Sequence, residues 1–114
     1  MAQTQTIGKT ATSVRRDPDG TLRVRYHATE VVRVDPDGTI HLDTGGWKTV
    51  TTKARMNQTA NQFGLGFQVR QSNYEWFVQI PDAEGNWYSA DARTIPFDRN
   101  YLVFNLKHGE ALAL

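Results

Sequence analysis

Apolar and polar residues alternate with a period of two over the first part of the chain. Leu22, Val24 and Tyr26 interleave with Arg23, Arg25 and His27. Val32 and Val34, then Ile40 and Leu42, continue the alternation, the latter pair against Thr39, His41 and Asp43. This is the period of a strand with one buried face, so antiparallel strands are expected. The string Asp-Pro-Asp-Gly-Thr stands before two of these runs, at 17–21 and 35–39. Proline presets the second turn position, aspartate tolerates the third, and glycine takes the positive φ that closes a bulged hairpin. Each string predicts a turn. A calcium loop would need more alternating oxygen ligands and a closing glutamate.

Gly45-Gly46 break the meander. Residues 50–63 predict one helix, capped by Thr49 or Thr51 at its start and by a left-handed Gly64 at its end. Val50, Ala54, Met56, Ala60 and Phe63 are assigned to its apolar face. Thr51, Thr52, Arg55, Gln58, Thr59 and Gln62 are assigned to the opposite face. Lys53 and Asn57, one turn apart, fall at the edge of the apolar stripe. The period of two returns with Phe67 and Val69, then Tyr74, Trp76, Val78 and Ile80, around a turn at Ser72-Asn73. Residues 81–86 read as a loop and Trp87-Tyr88 as a short strand. Strands at 94–97 and 101–104 close the sheet, with Pro96 marking an edge or strand end. The expectation is an α+β fold: about six or seven short antiparallel strands in a sheet, with one central amphipathic helix packed on it. Residues 1–12 are expected to be a flexible segment and 13–114 a single domain.

Composition narrows the chemistry. The absence of cysteine excludes disulfide scaffolds, zinc knuckles, thiol nucleophiles and iron–sulfur sites. A net charge of +1 over 114 residues argues against a protein that coats nucleic acid. The charge is uneven, however. Residues 1–57 hold nine Lys/Arg against six Asp/Glu, and 58–114 hold four against six. No apolar run reaches the roughly 18 residues of a membrane span, and no signal or transit pattern opens the chain.

The positive half also carries the densest polar cluster, Gly45 to Asn57. Two glycines precede a helix start rich in threonine and cations, and helix starts attract anions. The spacing is not that of a P-loop, so nucleotide hydrolysis is not implied. Lys53, Arg55 and the Thr51/Thr52 helix start are the candidate phosphate ligands there, and Asn57 is a further candidate ligand-binding residue. Trp47 is a candidate stacking platform. Arg23, Arg25 and His27 lie on one strand face and would add positive charge. The bland alternative is a capped helix with solvated cations and a core tryptophan. His27-Ala28-Thr29 matches half of the paired signature of two-histidine phosphoesterases. The other half is missing, because His41-Leu42-Asp43-Thr44 is one residue too long. No other catalytic set and no metal-ligand spacing is present. The expectation is a non-enzymatic binder without cofactor or metal.

The block GGWKTVTTKARMNQ at 45–58, preceded by YHATEVV and DGTIHLDTGG, resembles a group of small bacteriophage and prophage proteins. The resemblance spans roughly residues 22–80 and implies a phage origin rather than an activity. With the helix-start composition it leads to the expectation of a phage protein in the cytoplasm of the infected bacterial host. This protein would form a homo-oligomer and bind a phosphate-bearing small ligand, a nucleotide or nucleotide signal, with counter-defence by sequestration as its use. The alternative is an accessory factor binding nucleic acid or a host protein.

Overall fold

A computed structural model describes residues 11–105 and the backbone of 110–112. Residues 1–10, most of the segment expected to be flexible, lie outside the described residues. The first strand opens at Thr12, which pairs with Tyr26.

Both Asp-Pro-Asp-Gly strings are turns, and they are built alike. Gly20 N–H donates to the Asp17 carbonyl and Gly38 N–H to the Asp35 carbonyl, each at 2.9 Å. The second aspartate of each string accepts from the threonine amide two residues on, also at 2.9 Å. The first string joins β1 (Thr12–Arg16) to β2 (Leu22–Tyr26), and the second joins β3 (Thr29–Val34) to β4 (Thr39–Asp43). Between β2 and β3 the register shifts at Val24/Arg25, leaving Val31 without a partner opposite. Val31 and Val32 are therefore both buried, which strict alternation does not allow for.

The helix α1 runs Val50–Phe63 as expected. The Thr49 hydroxyl accepts from the Thr52 amide, and Gly64 ends the helix at φ 62°. The buried face differs from the expected one. Thr52, Met56, Thr59 and Ala60 point inward, whereas Val50 is 75% exposed. At 100° per residue Val50 stands about a third of a turn away from Met56, so the two cannot share one narrow stripe. Thr52 and Thr59 are tolerated inside because their hydroxyls are bonded, one to Thr49 and one to the Arg55 carbonyl.

After the helix come β5 (Gln68–Ser72), β6 (Glu75–Ile80), β7 (Arg93–Pro96), β8 (Tyr101–Asn105) and β9 (Glu110–Leu112). The fold is α+β, and the described residues form nine antiparallel strands in two sheets rather than six or seven in one. The larger sheet has the order β1-β2-β3-β4-β8-β9 and the smaller β5-β6-β7. β8 returns to pair with β4, and the intervening three-stranded meander forms its own sheet. Trp87-Tyr88 is not a strand. The Asp82 carboxylate accepts from the amides of Glu84 and Asn86 and from the Ser89 hydroxyl, and the Asn86 carboxamide accepts from Tyr88. Side chains thus take amides that a strand partner would otherwise need. One apolar core unites both sheets and the helix. Phe67 meets Phe104 and Trp76 meets Phe97 edge to face within it.

Candidate functional site

The nine candidate residues do not converge on one site. Arg23 is occupied: its guanidinium donates to Asp17 at 2.7 Å and to Glu30 at 3.0 Å. Arg25 donates to the carbonyl of His27. Arg55 donates to Thr12 and Gln58 and lies over the Tyr26 ring. Asn57 is buried and holds the backbone of β5, donating to the Val69 carbonyl at 2.9 Å and accepting from the Val69 amide at 2.7 Å. Its carboxamide stands in for a neighbouring strand at an open sheet edge. Thr51 is half-buried and Thr52 is part of the helix cap.

The ion pair of Arg23 belongs to a repeat longer than the turn strings. Asp17 accepts from Arg15, two residues before it, and from Arg23, six after it. Asp35 accepts from Arg33 and His41 at the same two spacings. The basic row Arg15, Arg23, Arg33, His41 runs across adjacent strands in direct register, so the turn aspartates offset charges that would repel. His41 Nε2 lies 2.8 Å from an Asp35 carboxylate oxygen, and its Nδ1 lies 2.6 Å from the Tyr101 hydroxyl. Burial pushes the Tyr101 hydroxyl up, away from the phenolate that a nucleophile would need.

These clamps make acid stability testable. The Arg23 guanidinium holds the Asp17 carboxyl below its ordinary 3.8, the Thr21 amide does so for Asp19, and the Ser89 hydroxyl for Asp82. A carboxyl with a lowered folded pKa stabilises the fold above its unfolded pKa, and that stability is lost as pH falls through the folded value. Unfolding free energy is expected to be flat from pH 7 to about pH 5 on account of these groups and to fall below about pH 4. Urea titrations across that range check this, and Asp17→Asn is expected to flatten the acid limb.

The remaining candidates fall on two grooves beside α1. The first, about 300 Å³, is lined by Tyr26, His27, Ala28, Thr29, Trp47, Thr49 and Thr52. Trp47 is 72% exposed there, so it does not anchor the core. The second, about 490 Å³, runs between α1, β5 and the 87–88 segment. Lys53, Asn57 and Asn61 line it at four-residue intervals from the helix, facing Gln68, Arg70, Gln71, Trp87 and Tyr88. It contains two cations and no carboxylate. Neither Lys53 nor Arg70 pairs with an acid among the described residues. Arg70 donates to Gln79 at 3.0 Å and reaches the Tyr88 hydroxyl at 3.5 Å, which places an aromatic ring beside the charge. A larger hollow of about 600 Å³ is lined by Asp82, Glu84 and Asp91 with Arg93, which disfavours an anion.

Of the residues lining this second groove, sequence reasoning singles out Lys53 and Asn57 and does not single out Arg70, Gln68, Gln71 or Tyr88. No spacing rule links Lys53 on a helix to Arg70 on the next strand, and the Asn57–Val69 bonds that bring them together are not local.

A family model described as Kyanoviridae Gp96 protein matches residues 1–104. The chain belongs to that phage protein family. No curated protein and no solved structure matches it. Membership of the Kyanoviridae Gp96 family agrees with the phage origin implied by the 45–58 block. Among the described residues no helix is long and apolar enough to cross a membrane.

Proposed function

We propose that this Kyanoviridae Gp96 protein is a non-enzymatic binder of a phosphate-bearing ligand, held in the groove between α1 and β5. The observation that carries the reading is the pair Lys53 and Arg70, which share a concave surface with two aromatic residues and no carboxylate. A groove of about 490 Å³ is within the range for nucleotide-sized ligands. Lys53 and Arg70 would take phosphate, Trp87 or Tyr88 would stack, and the amides of Asn61, Gln68 and Gln71 would reach base edges. The lining holds no histidine, carboxylate, serine or cysteine, which favours capture over turnover. Sequestration of a host nucleotide or nucleotide signal in the infected cell's cytoplasm fits that chemistry. Among the described residues β1 is an end strand of the larger sheet, and its outer edge is a contact for the expected homo-oligomer. Antiparallel self-pairing about Val14 would oppose Arg15 to Ser13 and Arg16 to Thr12, with no like charges opposed.

Calorimetry with a nucleotide panel, cyclic dinucleotides included, tests the reading. Lys53→Ala with Arg70→Ala is expected to weaken binding roughly 100-fold or more, since each charged hydrogen bond contributes about 1.5–3 kcal/mol. Absence of heat with every nucleotide, or full binding by the folded double variant, overturns it. A second reading, docking of a host protein, is favoured by exposed Trp47 and Val50 beside the first groove. Salt-insensitive capture of one host protein, lost in Trp47→Ala, would carry it.

A further inference from the structure

We infer that the ligand of the α1–β5 groove is a single-stranded nucleic acid segment several nucleotides long, with Tyr74 at the tip of the β5–β6 hairpin taking a further base. The inference rests on the reading of that groove as a phosphate site.

The hairpin turns through two residues, Asn73 and Tyr74, flanked by the Ser72–Glu75 pair. Both have positive φ, 51° and 66°. Two-residue turns of this kind favour asparagine followed by glycine. Asn73 suits its place. Tyr74 does not, because a side chain at positive φ crowds its own backbone carbonyl. No contact with a described residue offsets that strain. The Tyr74 side chain is 96% exposed and makes no ring contact or hydrogen bond to a described residue. A strained residue that gives its own fold no contact points to a use outside the fold.

Its position says what that use is. Arg70 stands two residues, about 7 Å, before the end of β5 at Ser72, beyond which Asn73 and Tyr74 form the turn. The Tyr88 hydroxyl lies 3.5 Å from the Arg70 guanidinium. Aromatic, cation and aromatic thus follow one another from the groove to the hairpin tip. Tyr74 and Tyr88 make no ring contact with each other, and a strand whose backbone passes Arg70 can present one base to each. Stacking of this type accepts any base, since every base has a π face, and it requires unpaired bases. Glu75 is the single carboxylate among the strand residues on this outer face of the small sheet, and it works against a polyanion.

The test is fluorescence anisotropy of the full chain with thymidine monophosphate and with oligothymidylates of roughly two to eight nucleotides at one fixed salt concentration. Affinity is expected to rise at least about tenfold from the mononucleotide to an oligomer of about four nucleotides. Tyr74→Gly is expected to lose that gain while raising thermal stability, Tyr74→Phe to keep it, and Glu75→Gln to tighten oligomer binding. Length-independent binding, or unchanged oligomer affinity in Tyr74→Gly, overturns the inference and leaves the mononucleotide reading standing. Failure of both the mononucleotide and every oligomer to bind removes the groove reading and this inference with it.

Discussion

Asn57→Ala is expected to lower the unfolding free energy by about 2–4 kcal/mol, measured by urea denaturation at neutral pH. The carboxamide serves both backbone groups of Val69, one by donating and one by accepting. Removing it leaves an amide and a carbonyl without partners, each costing about 1–3 kcal/mol where water is excluded. The groove beside Lys53 admits some water to that edge, which holds the sum below the upper limit. Asn57→Asp separates the two bonds, because a carboxylate accepts from the Val69 amide but cannot donate to its carbonyl. It is expected to fall between wild type and alanine, since the carboxylate repels the Val69 carbonyl but Lys53 and Arg70 of the same groove offset part of its charge. A loss under about 1 kcal/mol for Asn57→Ala would mean that water replaces the carboxamide at the β5 edge.

The same residue shows where the sequence is readable and where it is not. The ends of α1 and the two Asp-Pro-Asp-Gly turns are set by bonds within a few residues, and these were legible. The sequence places Asn57 at the margin of the apolar stripe, a position that fits a ligand and a backbone clamp equally well. The choice depends on Val69, which lies past the helix end and around a corner. Arg23 was misread as available charge for a related reason: its partners Asp17 and Glu30 come from the preceding turn and the following strand. The candidate helix start was divided by geometry the sequence does contain. Thr52 and Lys53 are neighbours in the chain but stand 100° apart on the helix, so one faces the Trp47 groove and the other the Arg70 groove. What no local pattern shows is that β5 folds back along α1 and brings Arg70 to Lys53.

Gly45→Ala is expected to cost about 2–4 kcal/mol of stability by the same measurement. Gly45 has φ 64°, where a side chain costs about 1–2 kcal/mol. A Cβ there would also run into Thr29, meeting its Oγ1 first and its Cβ and Cγ2 at 3.0 Å. That clash is with a short branched side chain on a strand, which cannot swing away, and overpacking of this kind costs about 1–3 kcal/mol. The two contributions separate in a double-mutant cycle. Thr29→Ala removes Oγ1 and Cγ2 and is expected to recover about 1 kcal/mol or more of the Gly45→Ala loss, leaving the backbone strain. If Gly45→Ala costs the same with and without Thr29→Ala, the contact is not the cause and backbone strain alone explains the glycine. The contact also explains why the Tyr-His-Ala-Thr and Gly-Gly-Trp strings belong together. Thr29 closes against Gly45 while the Trp47 amide bonds to the Thr44 carbonyl, so the corner that presents Trp47 is fixed by the start of β3, just past the turn at His27. Loss of that contact is expected to disturb the Tyr26–Trp47 groove and to leave the Lys53–Arg70 groove intact. Nucleotide binding by Gly45→Ala, measured below its unfolding temperature, therefore distinguishes the two grooves as the seat of the ligand.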